Sequence, residues 1–429
     1  MSDNALHDAF FALHHGLPRQ GPGSDDTSAR LLAMAGPLPS RPRVLDLGCG
    51  PGRSALLLAE RTGAVVTAVD LHEPFLEELR RGAAARGLGD TIRTVRADMG
   101  ALADAGLADG SFDLVWAESS AYSIGFDTAL EKWRPLLSPP AAPGRGGTST
   151  GGCLVVTECE WTGGAPSAGA RAFWDRHYAL RTTAENCSAA VAAGYDVLGV
   201  YRQPSSDWDE YYGPLGARAD AADPGAPGMA EALAATREEI AVRREHGSEY
   251  GYTGYVLRPR DPRWLTRPET AADVRAVHEV NAAAFPTAHE ADLVDALRRD
   301  GEAWLPGLSY VAEAADGSLA AYALLTRCRI GGTPALALAP VATAPRHQRQ
   351  GAGQAVVRAV LDAARARGEG PVVVLGHPEY YPRFGFEVAS GHGIRTSFEV
   401  PEEALMLLAL DGSGEVPDGT VRYPAAFGV

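Results

Sequence analysis

Val44-Leu-Asp-Leu-Gly-Cys-Gly-Pro-Gly52 closes a strand-like apolar run in glycines, and the helix-like Ser54–Thr62 follows at once. A glycine-rich turn from strand to helix lets backbone N–H groups come close to a phosphate or carboxylate, with the helix N-terminus adding a favourable field. One such turn is weak evidence, because glycine also marks ordinary loops. A second, unlike one stands far downstream, Gln348-Arg-Gln-Gly-Ala-Gly353, between the apolar strand Ala335–Val341 and the helix-like Gln354–Arg367. Two cradles with different wording and separate flanks predict two catalytic domains in tandem.

Bulk properties agree with that division. A chain of 429 residues exceeds what one hydrophobic core ordinarily serves. With 45% hydrophobic and 22% charged residues, it has the composition of a globular protein. The formal charge of −15 and pI near 5.2 argue against nucleic acid as a partner and favour small molecules. Five scattered cysteines (Cys49, Cys153, Cys159, Cys187, Cys328) form neither a disulfide framework nor a metal-ligand spacing. Residues 1–20 lack a signal-peptide pattern, and no stretch is apolar enough to span a bilayer. The expectation is a cytoplasmic protein with no membrane or nucleic-acid partner and no metal; the pattern leaves the oligomeric state open.

From Val44 the pattern alternates: strands at Val44–Leu47, Ala64–Asp70, Thr91–Arg96, Phe112–Ala117 and Gly152–Glu160, with helices at Ser54–Thr62, Glu73–Arg86 and Thr128–Leu137. Such alternation predicts a doubly wound α/β domain with a mostly parallel sheet. Pro139–Thr150 and Gly213–Gly228 read as loops, Met229–His246 as a helix, and Tyr195–Arg202 with Tyr250–Leu257 as a pair of neighbouring strands. Three prolines and four arginines in Arg258–Pro268 suggest the boundary. The expected organisation is 1–258, a linker at 259–267, and a smaller α+β domain at 268–429. That second domain reads as helices Ala271–Ala284 and Glu290–Arg299, then strands near Ser309–Glu313 and Leu319–Arg329.

In the first domain Gly48, Gly50 and Gly52 shape the loop, and Asp46 ends its strand. Asp70 ends the next strand, where a doubly wound sheet binds ribose hydroxyls. Asp98 follows the third strand and could meet an adenine edge, with Met99 as an apolar wall. GxGxG alone fits NAD or FAD as well. The wording Asp46–Gly50, Val66-Thr-Ala-Val-Asp70, Ala97-Asp98-Met99 and Ser111-Phe-Asp-Leu-Val-Trp-Ala-Glu118 resembles the class I S-adenosylmethionine-dependent methyltransferases over roughly residues 10–258. That resemblance implies a Rossmann-like sheet, S-adenosylmethionine as cofactor, and Asp70 on its ribose.

Two segments are expected on the acceptor side. His14-His-Gly-Leu-Pro-Arg-Gln-Gly-Pro-Gly-Ser24 offers His14, His15, Arg19 and Gln20, and resembles the cap of small-molecule methyltransferases. Trp208-Asp-Glu-Tyr-Tyr-Gly-Pro-Leu215 offers Trp208 and Tyr211 as substrate contacts or as a packed lid. Glu118, with Tyr122 and the two histidines, could serve as the base that a neutral acceptor sometimes needs. The fourth motif carries Trp116-Ala-Glu-Ser119, neither an amino-methylating Pro-Pro element nor a Pro-Cys nucleophile. A small metabolite is the remaining acceptor class.

In the second domain the amides of Gly351, Ala352 and Gly353 can hold a pyrophosphate, with Arg346 and Arg349 adding positive charge. Gln348-x-x-Gly-x-Gly353 and the later Tyr380-Tyr-Pro-Arg-Phe-Gly-Phe386 resemble the GNAT acyltransferases over roughly residues 266–425. The resemblance implies acetyl-CoA, a backbone contact to its pantetheine arm at Leu338–Val341, and Tyr381 as acid to the departing thiolate. Glu290 and Asp292 fall where that family shapes its acceptor pocket, which suggests an amine. The combined reading is a bifunctional transferase for small molecules; the alternative keeps one domain as a ligand-binding or regulatory module.

Overall fold

The computed structural model describes residues 3–140 and 151–429, so most of the expected Pro139–Thr150 loop lies outside the described residues. The chain divides into two compact units, Met1–Thr183 with Tyr201–Pro259 and Ala184–Val200 with Arg260–Val429.

An eight-stranded sheet organises the first half. Its strands are β1 (Arg43–Leu47), β2 (Val65–Asp70), β3 (Ile92–Arg96), β4 (Leu114–Ala117), β5 (Cys153–Trp161), β6 (Arg181–Thr182), β7 (Tyr195–Arg202) and β8 (Tyr250–Pro259). They lie in the order β3-β2-β1-β4-β5-β8-β7, with β6 beside β5. β3 to β5 are parallel, and β8 runs antiparallel to β5. Leu47 lies opposite Val69, and Asp46 opposite Trp116, so the carboxyl ends of β1, β2 and β4 reach one edge together. In a doubly wound sheet that edge, at the reversal of strand order, holds the ligand crevice. The sheet is the Rossmann-like one expected, with β1 and β4 buried on both faces as covered parallel strands require.

Local differences have local causes. Helix Asp3–His14, for which the sequence predicted no element, leads into the turn-rich segment that begins at His14. Helix Asp25–Met34 starts where Ser24 caps it by accepting from Thr27 N at 3.1 Å. Gly213–Gly228, read as a loop, is helical as far as Ala221, within Ser206–Ala221 and despite Pro214. Trp208, Tyr211, Leu215 and Ala219 of that helix are buried at helical spacing, and this packed stripe outweighs the glycines and the proline.

The second half holds β9 (Leu265–Pro268), β10 (Trp304–Glu313), β11 (Leu319–Ile330), β12 (Thr333–Thr343), β13 (Val372–Leu375), β14 (Glu387–Val388), β15 (Ile394–Arg395), β16 (Leu405–Leu408) and β17 (Gly419–Arg422). The main path is β14-β16-β13-β12-β11-β10-β9. β9 begins in the stretch read as linker, because Leu265–Arg267 pair with Val311–Glu313 of β10. Helix Ala352–Ala366 lays Ala352, Val356, Val360 and Ala364 fully buried on this sheet, a stripe at spacing four. Helices Val274–Ala284 and His289–Arg299 contribute Val277, Val294 and Leu297 to another cluster. This is the α+β domain expected. No helix among the described residues is long and apolar enough to cross a membrane.

Candidate functional site

The loop after β1 is wound tightly on itself. Gly48 N and Cys49 N both donate to Val69 O, at 2.9 and 3.0 Å, and Gly50 N donates to Asp70 Oδ2 at 2.9 Å. These amides therefore hold the loop rather than face a ligand, which revises the expectation of a backbone-donor cradle. The loop offers close approach instead. A Cβ on Gly48 would fall 2.5 Å from Ser120 Cβ and 3.3 Å from Met99 Cε, and one on Gly50 3.2 Å from Gln20 Cγ. Gly52 starts helix Arg53–Thr62 at φ 88°, a left-handed conformation that glycine adopts without penalty.

Three acids surround this turn. Asp70 also accepts from His72 N at 2.8 Å, so the carboxylate expected on ribose braces the β2 exit as well. Asp46 is buried, and its Oδ2 has no hydrogen-bond partner. Burial first, then the Glu118 and Asp70 carboxylates, push its pKa well above the usual range. Asp98 is exposed and accepts from Gly100 N at 2.7 Å, with Met99 beside it. Cys49 is buried, and burial holds its thiol far above the ordinary pKa, so it packs and does not react.

The N-terminal segment closes directly on the loop. Pro18 to Pro22, Asp46, Gly48 to Pro51, Arg53, Ser54 and Glu118–Ser119 line a small, half-open cavity of about 60 Å³. Arg19 is buried, donates to Asp25 Oδ1 at 2.9 Å and pairs with Glu118 Oε2 at 3.5 Å. Glu118 also accepts from Ser28 Oγ at 2.8 Å and from Ser54 Oγ. With these donors around it, Glu118 ties the capping helix to β4, an arrangement suited to holding the site rather than abstracting a proton. His14 is buried between Phe10 O at 2.8 Å and Tyr211 OH at 3.2 Å, and burial lowers its pKa. His15 pairs with Glu78 at 3.2 Å and His72 at 3.2 Å.

The aromatic segment splits in two. Trp208 is core: Arg243 sits 4.2 Å over its ring, and Tyr250 and Tyr252 pack at 5.7 and 5.5 Å. Tyr211 is buried and holds His14, so both residues expected on the substrate pack the wall instead. Tyr122 is 48% exposed and stacks on Tyr178 with centroids 5.6 Å apart.

Beside that pair lies Glu158 of β5, which the sequence reading passed over. It is 5% exposed; Oε1 accepts from Cys159 N at 3.2 Å, and Oε2 has no hydrogen-bond partner. Burial raises its pKa to about 7, opposed by hydrogen bonding from the Cys159 amide and the Tyr178 hydroxyl and by the Arg181 charge, with Glu160 adding to the rise. The available signal was Thr157-Glu-Cys-Glu160, two acids in a strand otherwise suited to burial.

In the second half the cradle is open. β12 and β13 pair only at Leu336–Val372 and Ala337–Val373, yet β12 runs on to Thr343. Opposite Leu324, β12 carries one extra residue, a bulge that breaks its register with β11 between Leu338 and Val341. The wedge so formed is a cleft of about 1110 Å³, lined by Leu338, Val341, Gln348, Arg349, Gly351, Gly353 and Tyr381 among others. Gly351 starts the helix at φ 99°, and the first N–H groups of the helix, from Ala352, have no intrahelical acceptor. A Cβ on Gly353 would meet Thr343 Oγ1 at 2.7 Å and Tyr380 OH at 3.3 Å. Tyr381 is buried against Gly376, and burial raises its phenol pKa above the ordinary value. Glu290 reaches the same cleft, and its Oε2 is buried without a hydrogen-bond partner; Asp292, on the same helix, does not line it.

A Rossmann-like sheet with a glycine turn at its carboxyl edge, and a splayed α+β sheet with a helix N-terminus in its cleft, define two transferase domains. Comparison with known proteins agrees. A family model described as a methyltransferase domain matches residues 44–140, and the acetyltransferase (GNAT) family matches residues 274–386. The uncharacterized N-acetyltransferase YjhQ of Escherichia coli (strain K12) is 38% identical over 144 residues, covering 32% of this chain and 77% of that protein. The uncharacterized N-acetyltransferase YhbS of the same strain is 31% identical over 167 residues, covering 38% and 98%. A SAM-dependent methyltransferase from Geobacter sulfurreducens, solved with S-adenosyl-L-homocysteine, superposes with a TM-score of 0.50 at 19% identity, covering 59% and 98%. The chain belongs to the GNAT acetyltransferase family through its C-terminal region and carries a methyltransferase domain in its N-terminal half.

Proposed function

We propose a bifunctional transferase that moves a methyl group from S-adenosylmethionine to one small-molecule site and an acetyl group from acetyl-CoA to an amine. The observation that carries this reading is the pairing, in one chain, of a glycine turn that has no room for a Cβ at Gly48 with an open bulged-strand cleft ending on a helix N-terminus.

The N-terminal residues fit the methyl donor. Asp46 Oδ2, buried and unpartnered, suits an ammonium group, Asp70 suits ribose hydroxyls, and Met99 with Asp98 suits adenine. When bound, the donor supplies an electrophilic methyl on a sulfonium. Replacing Asp70 with Ala removes a charged acceptor and the brace on Gly50, and each such bond contributes about 1.5–3 kcal/mol. Titration calorimetry should show S-adenosylmethionine affinity falling at least about tenfold with acetyl-CoA affinity unchanged; equal affinity for the methyl donor would remove the ribose assignment.

The cavity of about 60 Å³ beneath Pro18–Pro22 is smaller than the donor, and we read this segment as moving aside to admit it. A Cβ on Gly21 would fall 2.6 Å from Ser119 Cβ, so Gly21→Ala should hold this segment ajar. Stopped-flow binding is expected to show faster dissociation of S-adenosylmethionine in that variant, and an unchanged rate would mean the segment does not gate the site.

In the C-terminal domain the N–H groups at Gly351–Gly353 and the charge of Arg349 suit a pyrophosphate, and Val341 lies where the strand backbone can pair with the pantetheine arm. The Glu290 carboxylate would attract an ammonium into the cleft, and the Tyr381 phenol, kept protonated by burial, would supply the proton that a coenzyme A thiolate takes on leaving.

A further inference from the structure

We propose that the Glu158 carboxylate, with the rings of Tyr122 and Tyr178, forms the methyl-acceptor site and takes a small protonated amine, which it deprotonates. This rests on the methyltransferase reading above. A buried carboxylate oxygen without a partner calls for an explanation, since leaving one unsatisfied is costly. Glu160, two residues on and on the same strand face, shows the contrast: Thr183, Thr253 and Tyr255 all donate to it, and it is fully buried. Glu160 is structural; Glu158 keeps an oxygen open.

The position is right for an acceptor. Ala117 at the end of β4 lies opposite Val156, so Glu158 stands just beyond β4 at the carboxyl edge. Ser119, at φ 50°, turns the chain there and anchors on Thr157 Oγ1 at 2.8 Å, which brings the Tyr122 turn alongside. The half-exposed Tyr122 ring, stacked on Tyr178, gives a route from solvent. Aromatic faces and a carboxylate together attract an ammonium and repel an anion.

The titratable groups around Glu158 are Glu160 on its own strand, Arg181 on β6, Tyr178, Tyr122, Tyr252 on β8 and Cys159. Tyr178, Tyr252 and Cys159 have pKa values raised by burial and stay neutral near pH 7. One N–H proton of the ammonium passes to Glu158 Oε2, the bonding pair stays on nitrogen, and Glu158 becomes a neutral acid. The lone pair so formed is the nucleophile that methyl transfer requires. A carboxyl titrating at about 7 can accept that proton near neutrality. Below that pH the acid is neutral and holds the cation weakly, so amine affinity rises as pH climbs through about 7.

Calorimetric titration of the full chain with dimethylammonium chloride, and with tert-butanol as a neutral probe of similar size, tests this. The wild type should bind dimethylammonium, more tightly at about pH 8 than at about pH 6, and should not bind tert-butanol. Glu158→Gln, and separately Tyr122→Leu at a half-exposed position, should each weaken dimethylammonium about tenfold or more while S-adenosylmethionine binding persists. Wild-type failure to bind dimethylammonium, equal binding of tert-butanol, or unchanged affinity in both variants would overturn the proposal. Absent S-adenosylmethionine binding in the wild type would instead remove the methyltransferase reading itself.

Discussion

Gly48→Ala should abolish detectable S-adenosylmethionine binding while acetyl transfer by the same chain continues. Gly48 has φ 67°, where an L-residue is strained by about 1–2 kcal/mol. The added Cβ would also stand 2.5 Å from Ser120 Cβ, closer than such atoms approach. Ser120 cannot yield freely, because its Oγ donates to Leu47 O at 2.8 Å and pins it to the β1 exit. The loop must shift instead, and Gly48 and Cys49 would then lose their shared acceptor on Val69. Strain and overpacking together amount to about 2–5 kcal/mol, or roughly 10²-fold in affinity and beyond. Gly50→Ala should be milder, since its Cβ would meet only the flexible Gln20 side chain at 3.2 Å. Calorimetry with S-adenosylmethionine checks the order of the two variants, and the thermal unfolding profile reports whether the first unit still folds. Equal, undiminished affinity in Gly48→Ala would mean that the ligand does not use this turn.

How far the sequence carried the fold depended on how local each determinant is. Asp46–Gly52 and Gln348–Gly353 were legible because a turn that requires positive φ must be written in glycine at the place it is used. The alternation of β1 to β5 with helices was legible because buried parallel strands read as apolar runs. Ser206–Ala221 was obscured because Gly213, Pro214 and Gly216 are turn residues by local chemistry, and only the packed stripe of Trp208, Tyr211 and Leu215 shows that tertiary contacts prevail. Trp208 and Tyr211 stayed open between substrate contacts and a packed lid for a related reason: an aromatic cluster looks the same in sequence whether it lines a pocket or fills a core. Glu158 was hidden most deeply. Its significance comes from an oxygen that nothing satisfies, and satisfaction is decided by Thr183, Thr253 and Tyr255 choosing Glu160.

The second large effect is expected at Tyr381, and its neighbour supplies the control. Tyr381→Phe should lower kcat for acetyl transfer by about 10² or more, with coenzyme A affinity nearly unchanged. The phenol lines the cleft, and burial raises its pKa, so it carries its proton throughout the neutral range. The sign matters: a raised phenol pKa moves loss of the acid to higher pH, so wild-type activity should show no fall attributable to Tyr381 near neutrality. Tyr380 is differently placed, with its hydroxyl over Gly353 at the helix start, so Tyr380→Phe should raise KM for acetyl-CoA more than it lowers kcat. Gly376 offers an independent route to the same group. A Cβ there would fall 2.3 Å from Tyr381 Cε2 and displace the ring, so Gly376→Ala should reproduce the kcat loss of Tyr381→Phe with the hydroxyl still present. Steady-state kinetics on the three variants separates the roles. Full turnover in Tyr381→Phe would remove it as the acid and direct attention to Tyr380, which also lines the cleft.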